Sequence, residues 1–261
     1  MNRGKVMILA VDIGNTNIVI GGFKQDDLKF VSRISTDKKL MKDQYMVQFD
    51  QILNLYGYGK SEFSGAIISS VVPPLLPTVK EAVAELLNCQ VTTVSPGTKT
   101  GLNIKIDNPA VLGSDLVCAA VGTIKHHSYP CIIVDLGTAT KFSAIDKNAS
   151  FIGASILPGI SISLDALSEK TAQLPHINFS DTSVVIGKNT VESMKSGIVF
   201  GTASMIDGMI NRFMSEMGEC SVVATGGFAK SIIPYCSHDI AVDEDLILLG
   251  LYEIYRKNVS K

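Results

Sequence analysis

The sequence predicts an α/β protein built from two related halves. Two observations carry this expectation. Apolar strand-like runs alternate with helix-periodic segments along the chain, which implies a mostly parallel sheet with helices on its faces. The chain also repeats a pattern at about half its length. Val6 to Phe23 reads VMILAVDIGNTNIVIGGF and Cys131 to Asp146 reads CIIVDLGTATKFSAID. Each is an apolar strand ending in Asp, then a Gly/Thr turn, then a second apolar strand, and such self-similarity indicates duplication. The halves are expected at residues 1–123 and 124–261. No low-complexity linker separates them, so they are expected to pack closely around a cleft.

The first strand is expected to begin at Met7, with the residues before it a short polar extension and not a secretory signal. Lys24, Asp26, Asp27 and Lys29 mark a solvated hairpin turn. Leu40 to Tyr56 has helical spacing at Met41, Tyr45, Phe49, Ile52, Leu53 and Leu55. Gly65 to Val72 reads as a buried strand halted by Pro73 and Pro74. Thr78 to Asn88 is helical, Gln90 to Val94 is a strand, and Gly113 to Lys125 is a helix. In the second half Ser161 to Ser168 and Thr190 to Met217 are helical, and Ser221 to Thr225 is a strand leading into a Gly-Gly turn. Asp243 to Lys257 is a closing amphipathic helix.

Composition narrows the function classes. Of 261 residues, 46% are hydrophobic, enough for one large core or two small ones. A formal net charge of −2 argues against a nucleic-acid-binding surface. No apolar run is long enough to cross a bilayer. The five cysteines are scattered without a C-x-x-C pair, which reads as buried small hydrophobes in a reducing cytosol and gives no disulfide or zinc framework. The four histidines show no ligand spacing. Met194, Met205, Met209 and Met214 lie on a helix as core or interface residues.

Three motifs carry chemistry. In Asp12-Ile13-Gly14-Asn15-Thr16-Asn17, Gly14 permits a tight turn and close approach of a ligand to the backbone. Thr16 and Asn17 offer side-chain donors, successive amides can form an anion-binding concavity, and Asp12 could hold magnesium, often through water. Asp135-Leu136-Gly137-Thr138-Ala139-Thr140 repeats this logic. Either hexad alone reads better as an ordinary turn; two copies half a chain apart fit a pair of hairpins gripping the phosphates of ATP. Thr225-Gly226-Gly227 follows a strand and would allow close approach of a flat nucleoside.

These elements, in this order, resemble the phosphate-1, phosphate-2 and adenosine motifs of the sugar-kinase/actin/Hsp70 superfamily. SSVVPP from Ser69, GLNIKIDNPAVLGSD from Gly101, GASILPGISIS from Gly153, TAQLP from Thr171, GKNTVESMKSG from Gly187 and ATGGFAK from Ala224 narrow the resemblance to type III pantothenate kinases. It covers almost the whole chain. It implies two duplicated actin-like (ribonuclease H-like) lobes with ATP in an interlobe cleft, contacted by Asp12, Gly14, Asn15, Thr16, Asn17, Thr138, Gly226 and Gly227. It implies transfer of the γ-phosphoryl group of ATP to pantothenate, the first step of coenzyme A biosynthesis, by a cytoplasmic homodimer with the helix Thr190 to Met217 as an interface element. Asp115 matches the family's catalytic base, although a carboxylate at a helix start also has an ordinary first-turn role. Gly113, Ser114, Asp115, Leu116 and Thr190 match the substrate side, and Asp135 matches the residue holding a monovalent cation, K+ or NH4+.

Three positions depart from the family pattern. Leu116 stands where Gly-x-Asp is usually followed by Arg, Ile106 where a Tyr is common, and Lys141 follows Thr140 where a further Thr is common. If Lys141 points inward, its ammonium replaces part of the ion's charge; if strand alternation turns it outward, it is solvated. The first two departures leave open a kinase of the same fold with another acceptor, and a non-catalytic nucleotide-binding regulator.

Overall fold

A computed structural model describes residues 7–259. The chain forms two compact units. The first comprises the chain up to Gly101, then Asn108–Lys125, then the segment from Leu246 onward; the second comprises Leu102–Asp107 and His126–Asp245. A single cut between 123 and 124 therefore differs from the observed division in two places. The C-terminal helix returns to the first unit, because its apolar face packs on that unit's sheet. The short strand at Asn103 joins the second, because it pairs with a strand beginning at Ser150.

The first unit holds strands β1 (Met7–Ile13), β2 (Asn17–Lys24), β3 (Asp27–Ser35), β4 (Phe63–Ser70) and β5 (Val91–Thr93), with helices α1 (Lys42–Leu55), α2 (Leu76–Leu87), α3 (Ser114–His126, shared with the second unit at its last residue) and the C-terminal helix. The second holds β6 (Asn103–Ile104), β7 (Cys131–Leu136), β8 (Ala139–Ile145), β9 (Ser150–Pro158), β10 (Ser221–Thr225) and β11 (Ala241–Val242), with α4 (Ile160–Lys170), α5 (Thr190–Met217) and the short α6 (Ala229–Ile232). The C-terminal helix is α7 (Leu246–Val259).

The strand order of the first sheet is β3-β2-β1-β4-β5, and that of the second is β9-β8-β7-β10-β11 with β6 added beside β9. The two orders are the same, so the internal echo in the sequence corresponds to a repeated topology. Neither sheet is wholly parallel: the first has two parallel and two antiparallel pairings, and the second three and two once β6 is counted. In each, three strands form an antiparallel meander joined by short turns, and two further strands add in parallel on the other side. The hairpins account for the difference from the sequence expectation: a two-residue turn such as Gln25-Asp26 can only reverse the chain, whereas a parallel neighbour needs a crossover.

Strand alternation divides each sheet into two faces. In β1, Leu9, Val11 and Ile13 join Ile18, Ile20, Ala66 and Ile68 in a core closed by Tyr45, Phe49 and Leu53 of α1 and Val79, Val83 and Leu87 of α2. The opposite face is covered by α7. Phe23 stacks on Tyr252 with ring centroids 4.4 Å apart and planes 5° from parallel, and the Tyr252 hydroxyl donates to the Gln25 carbonyl in the β2–β3 turn. In the second unit Ile132, Val134, Leu136 and Phe142 face Ile206 and Ile210 of α5. Met205, Met209 and Met214 pack against this cluster and Met194 is buried, so these methionines are core residues. No helix among the described residues is long and apolar enough to cross a membrane.

Helices α3 and α7 approach through glycines. A Cβ on Gly250 would run into the Cys118 carbonyl, and one on Gly122 into that of Leu246. Both obstacles are main chain and cannot rotate away. Gly250→Ala is therefore expected to cost about 3 kcal/mol of overpacking, more than the ~1 kcal/mol gained from helix propensity. The expected result is a thermal midpoint lower by about 4–8 °C. Gly208→Ala, at a position in α5 with open space beside it, should leave the midpoint unchanged or raise it; differential scanning calorimetry of both variants checks the pair.

Candidate functional site

Each unit carries a polar site at the end of its central strand. Asp12 is the penultimate residue of β1 and Asp135 the penultimate residue of β7. Both lie on the sheet face away from the α1/α2 or α5 core, and both are buried, at 8% and 7% exposure. A carboxylate at that depth requires polar partners.

In the first unit the partner is Ser69. The parallel register of β1 and β4 sets Asp12 opposite Ser69, and the fully buried Ser69 hydroxyl donates to Asp12 Oδ1. The following turn is closed by the Gly14 amide donating to the Asn17 carbonyl at 3.0 Å and by the Thr36 hydroxyl donating to the Gly14 carbonyl at 2.7 Å. This leaves Asn15, Thr16 and Asn17 exposed at its tip. Beyond β4 the chain is tied to α3 by Ser114. Its Oγ accepts from the Ser70 amide at 3.1 Å and donates to the Ser70 carbonyl at 3.0 Å.

Asp115 thus stands in the first turn of α3, and its Oδ1 accepts from the Leu116 amide at 2.8 Å. One turn on, Cys118 is fully buried. Burial pushes its thiol well above the usual range, and the carboxylates of Asp12 and Asp115 both push it further, against a lowering from the Ser69 hydroxyl. The two carboxylates' segments are linked directly, Ser69 bonding to Asp12 and its neighbour Ser70 to Ser114. Leu116 itself is 8% exposed. Its main-chain amide, not an exposed side chain, serves Asp115. Ile106 belongs to the second unit.

In the second unit the antiparallel register of β7 and β8 sets Asp135 directly opposite Lys141, and the parallel register of β7 and β10 sets it opposite Thr225. Directly opposed residues share a face, so Lys141 points inward. Its Nζ lies 2.6 Å from Asp135 Oδ2, with side chains only 14% and 10% exposed. The Gly137 amide donates to the Ala139 carbonyl at 3.2 Å, and Thr138 is exposed at the tip. Gly226 closes the site from the side. It has φ +92°, and a Cβ there would stand 2.7 Å from Asp135 Oδ1 and 2.6 Å from the Leu136 carbonyl carbon. Both the left-handed backbone and the close approach call for glycine. Gly227 faces open space.

Thr190 is placed elsewhere in the second unit. It begins α5 after Asn189, whose side chain caps the helix by accepting from the Glu192 amide at 2.9 Å. Thr190, Lys188 and Ser193 line a cavity of about 690 Å³, together with Leu167 and Met194. Asp135, Lys141 and Gly226 are not among its lining residues.

Ser69 and Cys118 were not singled out by sequence reasoning. The signal for Ser69 was the pair of serines ending an apolar strand ahead of two prolines. No group of three or more His, Cys, Asp and Glu side chains able to hold a metal ion occurs among the described residues. His127 Nε2 lies 2.9 Å from Asp243, and His238 Nδ1 lies 2.9 Å from Asp207.

A family model for type III pantothenate kinase matches residues 8–212. A type III pantothenate kinase of Brevibacillus brevis is 40% identical over 255 residues, which cover 97% of this chain and 100% of the relative. Two solved structures share the fold at low identity. The ethanolamine utilization protein EutJ of Carboxydothermus hydrogenoformans aligns with a TM-score of 0.55 at 14% identity, over 95% of this chain and 88% of its own. An inorganic polyphosphate/ATP-glucomannokinase of an Arthrobacter strain aligns with a TM-score of 0.50 at 12% identity, over 97% and 100%. The duplicated α/β fold is thus of the actin-like, sugar-kinase kind.

Gly113 offers a local test of the first site. A Cβ there would stand 2.6 Å from Asp115 Oδ1. The carboxylate can swing away, so Gly113→Ala should fold with an unchanged thermal midpoint. If Asp115 is the base that the family resemblance expects, phosphoryl transfer should nevertheless fall at least about tenfold. Parallel calorimetry and turnover measurements check both halves of this expectation.

Proposed function

The chain belongs to the type III pantothenate kinase family, and from that premise we propose that it transfers the γ-phosphoryl group of ATP to the primary hydroxyl of pantothenate, forming 4'-phosphopantothenate for coenzyme A biosynthesis. The chain is a kinase, and ATP use comes with the family. The observation that supports the residue assignment is the hydrogen-bonded link between the two carboxylates' segments: Ser69 donates to Asp12, and its neighbour Ser70 is tied to Ser114, the residue before Asp115.

The two carboxylates take different roles. Asp115, held at the start of α3 by the Leu116 amide, accepts the proton of the attacking hydroxyl and orients it toward the phosphorus. Gly113 and Ser114 fix that helix start, and Leu116 contributes through its backbone. Asp12, with one oxygen held by Ser69, holds magnesium directly or through water. A carboxylate suits magnesium, which keeps several waters and takes its other ligands from phosphates. When bound, the ion neutralises charge on the transferring phosphoryl group. The exposed tips at Asn15 to Asn17 and at Thr138 present donors to phosphate oxygens, and Gly226 and Gly227 receive the nucleoside. Thr190, beside Lys188 in the cavity at the start of α5, contacts pantothenate.

The chain works as a cytoplasmic homodimer with α5 contributing to the interface. No nucleic acid or membrane partner is required. Leu116 in place of an arginine and Ile106 in place of a tyrosine favour, as the second reading, a kinase of the same fold with another acceptor. A further alternative is a nucleotide-binding regulator without catalysis.

A coupled assay with ATP and a panel of alcohols separates these readings. Pantothenate should be the preferred acceptor. Asp115→Asn should lower turnover by about 10²–10⁴, the usual worth of a positioned general base, with ATP affinity within about twofold of the native chain. Preference for another alcohol would move the acceptor assignment, and full activity of Asp115→Asn would remove the base. ATP binding with no transfer to any acceptor would favour the regulator.

A further inference from the structure

The second unit carries its own cation. A buried carboxylate on a phosphate-gripping hairpin is a natural seat for a monovalent ion, and the family resemblance expects K+ or NH4+ at Asp135. The donor set does not suit such an ion here. Asp135 Oδ2 is already 2.6 Å from the Lys141 ammonium, both side chains are nearly buried, and the β7–β8 register fixes them on one face. The Oδ1 side is hemmed in by Gly226 and Gly137. The repeated topology sharpens the comparison. In the first unit the residue opposite Asp12 on the hairpin partner strand is Val19, an apolar side chain; in the second it is Lys141. Lysine is among the residues least often buried unless paired, so its inward placement needs the carboxylate as its counterpart.

We propose that Lys141 is a tethered monovalent cation: its ammonium takes the place of a bound K+ or NH4+ beside Asp135, so that the phosphate-2 hairpin works without an added ion. An ammonium carries the same single charge as either ion, and its stem holds it at a high effective concentration independent of the surrounding salt. The inference rests on the reading of this hairpin as a phosphate-binding element. Lys141 here is a positioning residue: it balances Asp135 and sets the charge that the hairpin presents.

The test compares the native chain and Lys141→Ala in sodium, potassium and ammonium chloride at equal ionic strength, with two readouts. The first is the thermal midpoint without nucleotide; the second is ATP affinity by isothermal titration. The native chain should show the same midpoint and an ATP affinity within about twofold in all three salts. Lys141→Ala opens space for an ion. In sodium it should melt lower and bind ATP about 10- to 100-fold more weakly, the worth of one charge-assisted contact, and potassium or ammonium should restore most of both losses. Two results would overturn the proposal: potassium- or ammonium-selective gains in the native chain, or a Lys141→Ala variant equally impaired in every salt, which would make the pair merely structural. Should Lys141→Ala not fold, the salt response of the native chain decides alone. Because the midpoint is read without nucleotide, a failure of the phosphate-binding reading shows separately, as ATP binding absent from the native chain in every salt.

Discussion

A carboxylate buried at the end of a central strand is the constraint on which the rest of the structure depends. An aspartate at that depth is costly unless an opposing strand supplies a hydrogen-bonding or charged partner. Each sheet meets the requirement with one residue in exact register with its aspartate: Ser69 across the parallel β1–β4 pair and Lys141 across the antiparallel β7–β8 pair. A slip of one residue in either pairing would turn the partner to the opposite face. The registers that build the cores therefore also build the sites.

The choice of partner separates the two units. A serine hydroxyl donates to one oxygen of Asp12 and adds no charge. A lysine ammonium pairs with Asp135 in the second unit, and on the proposed reading of that hairpin it takes the place of an added cation. The surrounding glycines follow the same logic. Gly226 lets a loop come against Asp135, and Gly113 lets Asp115 lie close to the start of its own helix. In both places a methyl group would meet the carboxylate.

Much of this was legible in the sequence. The duplicated strand–Asp–Gly/Thr–strand pattern corresponds to two sheets of the same strand order, and the long α5 has the bounds expected from its periodicity, Thr190–Met217. The sequence did not disclose the mixed strand directions, because apolar runs carry no sign of direction and only the short turns force reversal. It did not disclose that α7 belongs with β1, β2 and β4, since a helix's apolar face does not name the sheet it covers. The orientation of Lys141 depended on which residue of β7 it opposes. That is a property of register between strands, absent from the alternation within one. Ser69 was hidden for the same reason: its role exists only through the pairing of β4 with β1. Leu116 stood out as a missing arginine, whereas its burial shows the side chain turned into the protein and only the amide at Asp115.

The division of labour between the two buried aspartates is tested most directly by the magnesium dependence of ATP affinity, measured by isothermal titration with magnesium and with a chelator. In the native chain magnesium should tighten ATP binding. In Asp12→Asn that gain should vanish, while Lys141→Met, which removes the charge beside Asp135, should weaken ATP binding but keep the magnesium gain. An Asp12→Asn chain that retains the full magnesium effect would contradict the assignment of the metal to the first unit's carboxylate.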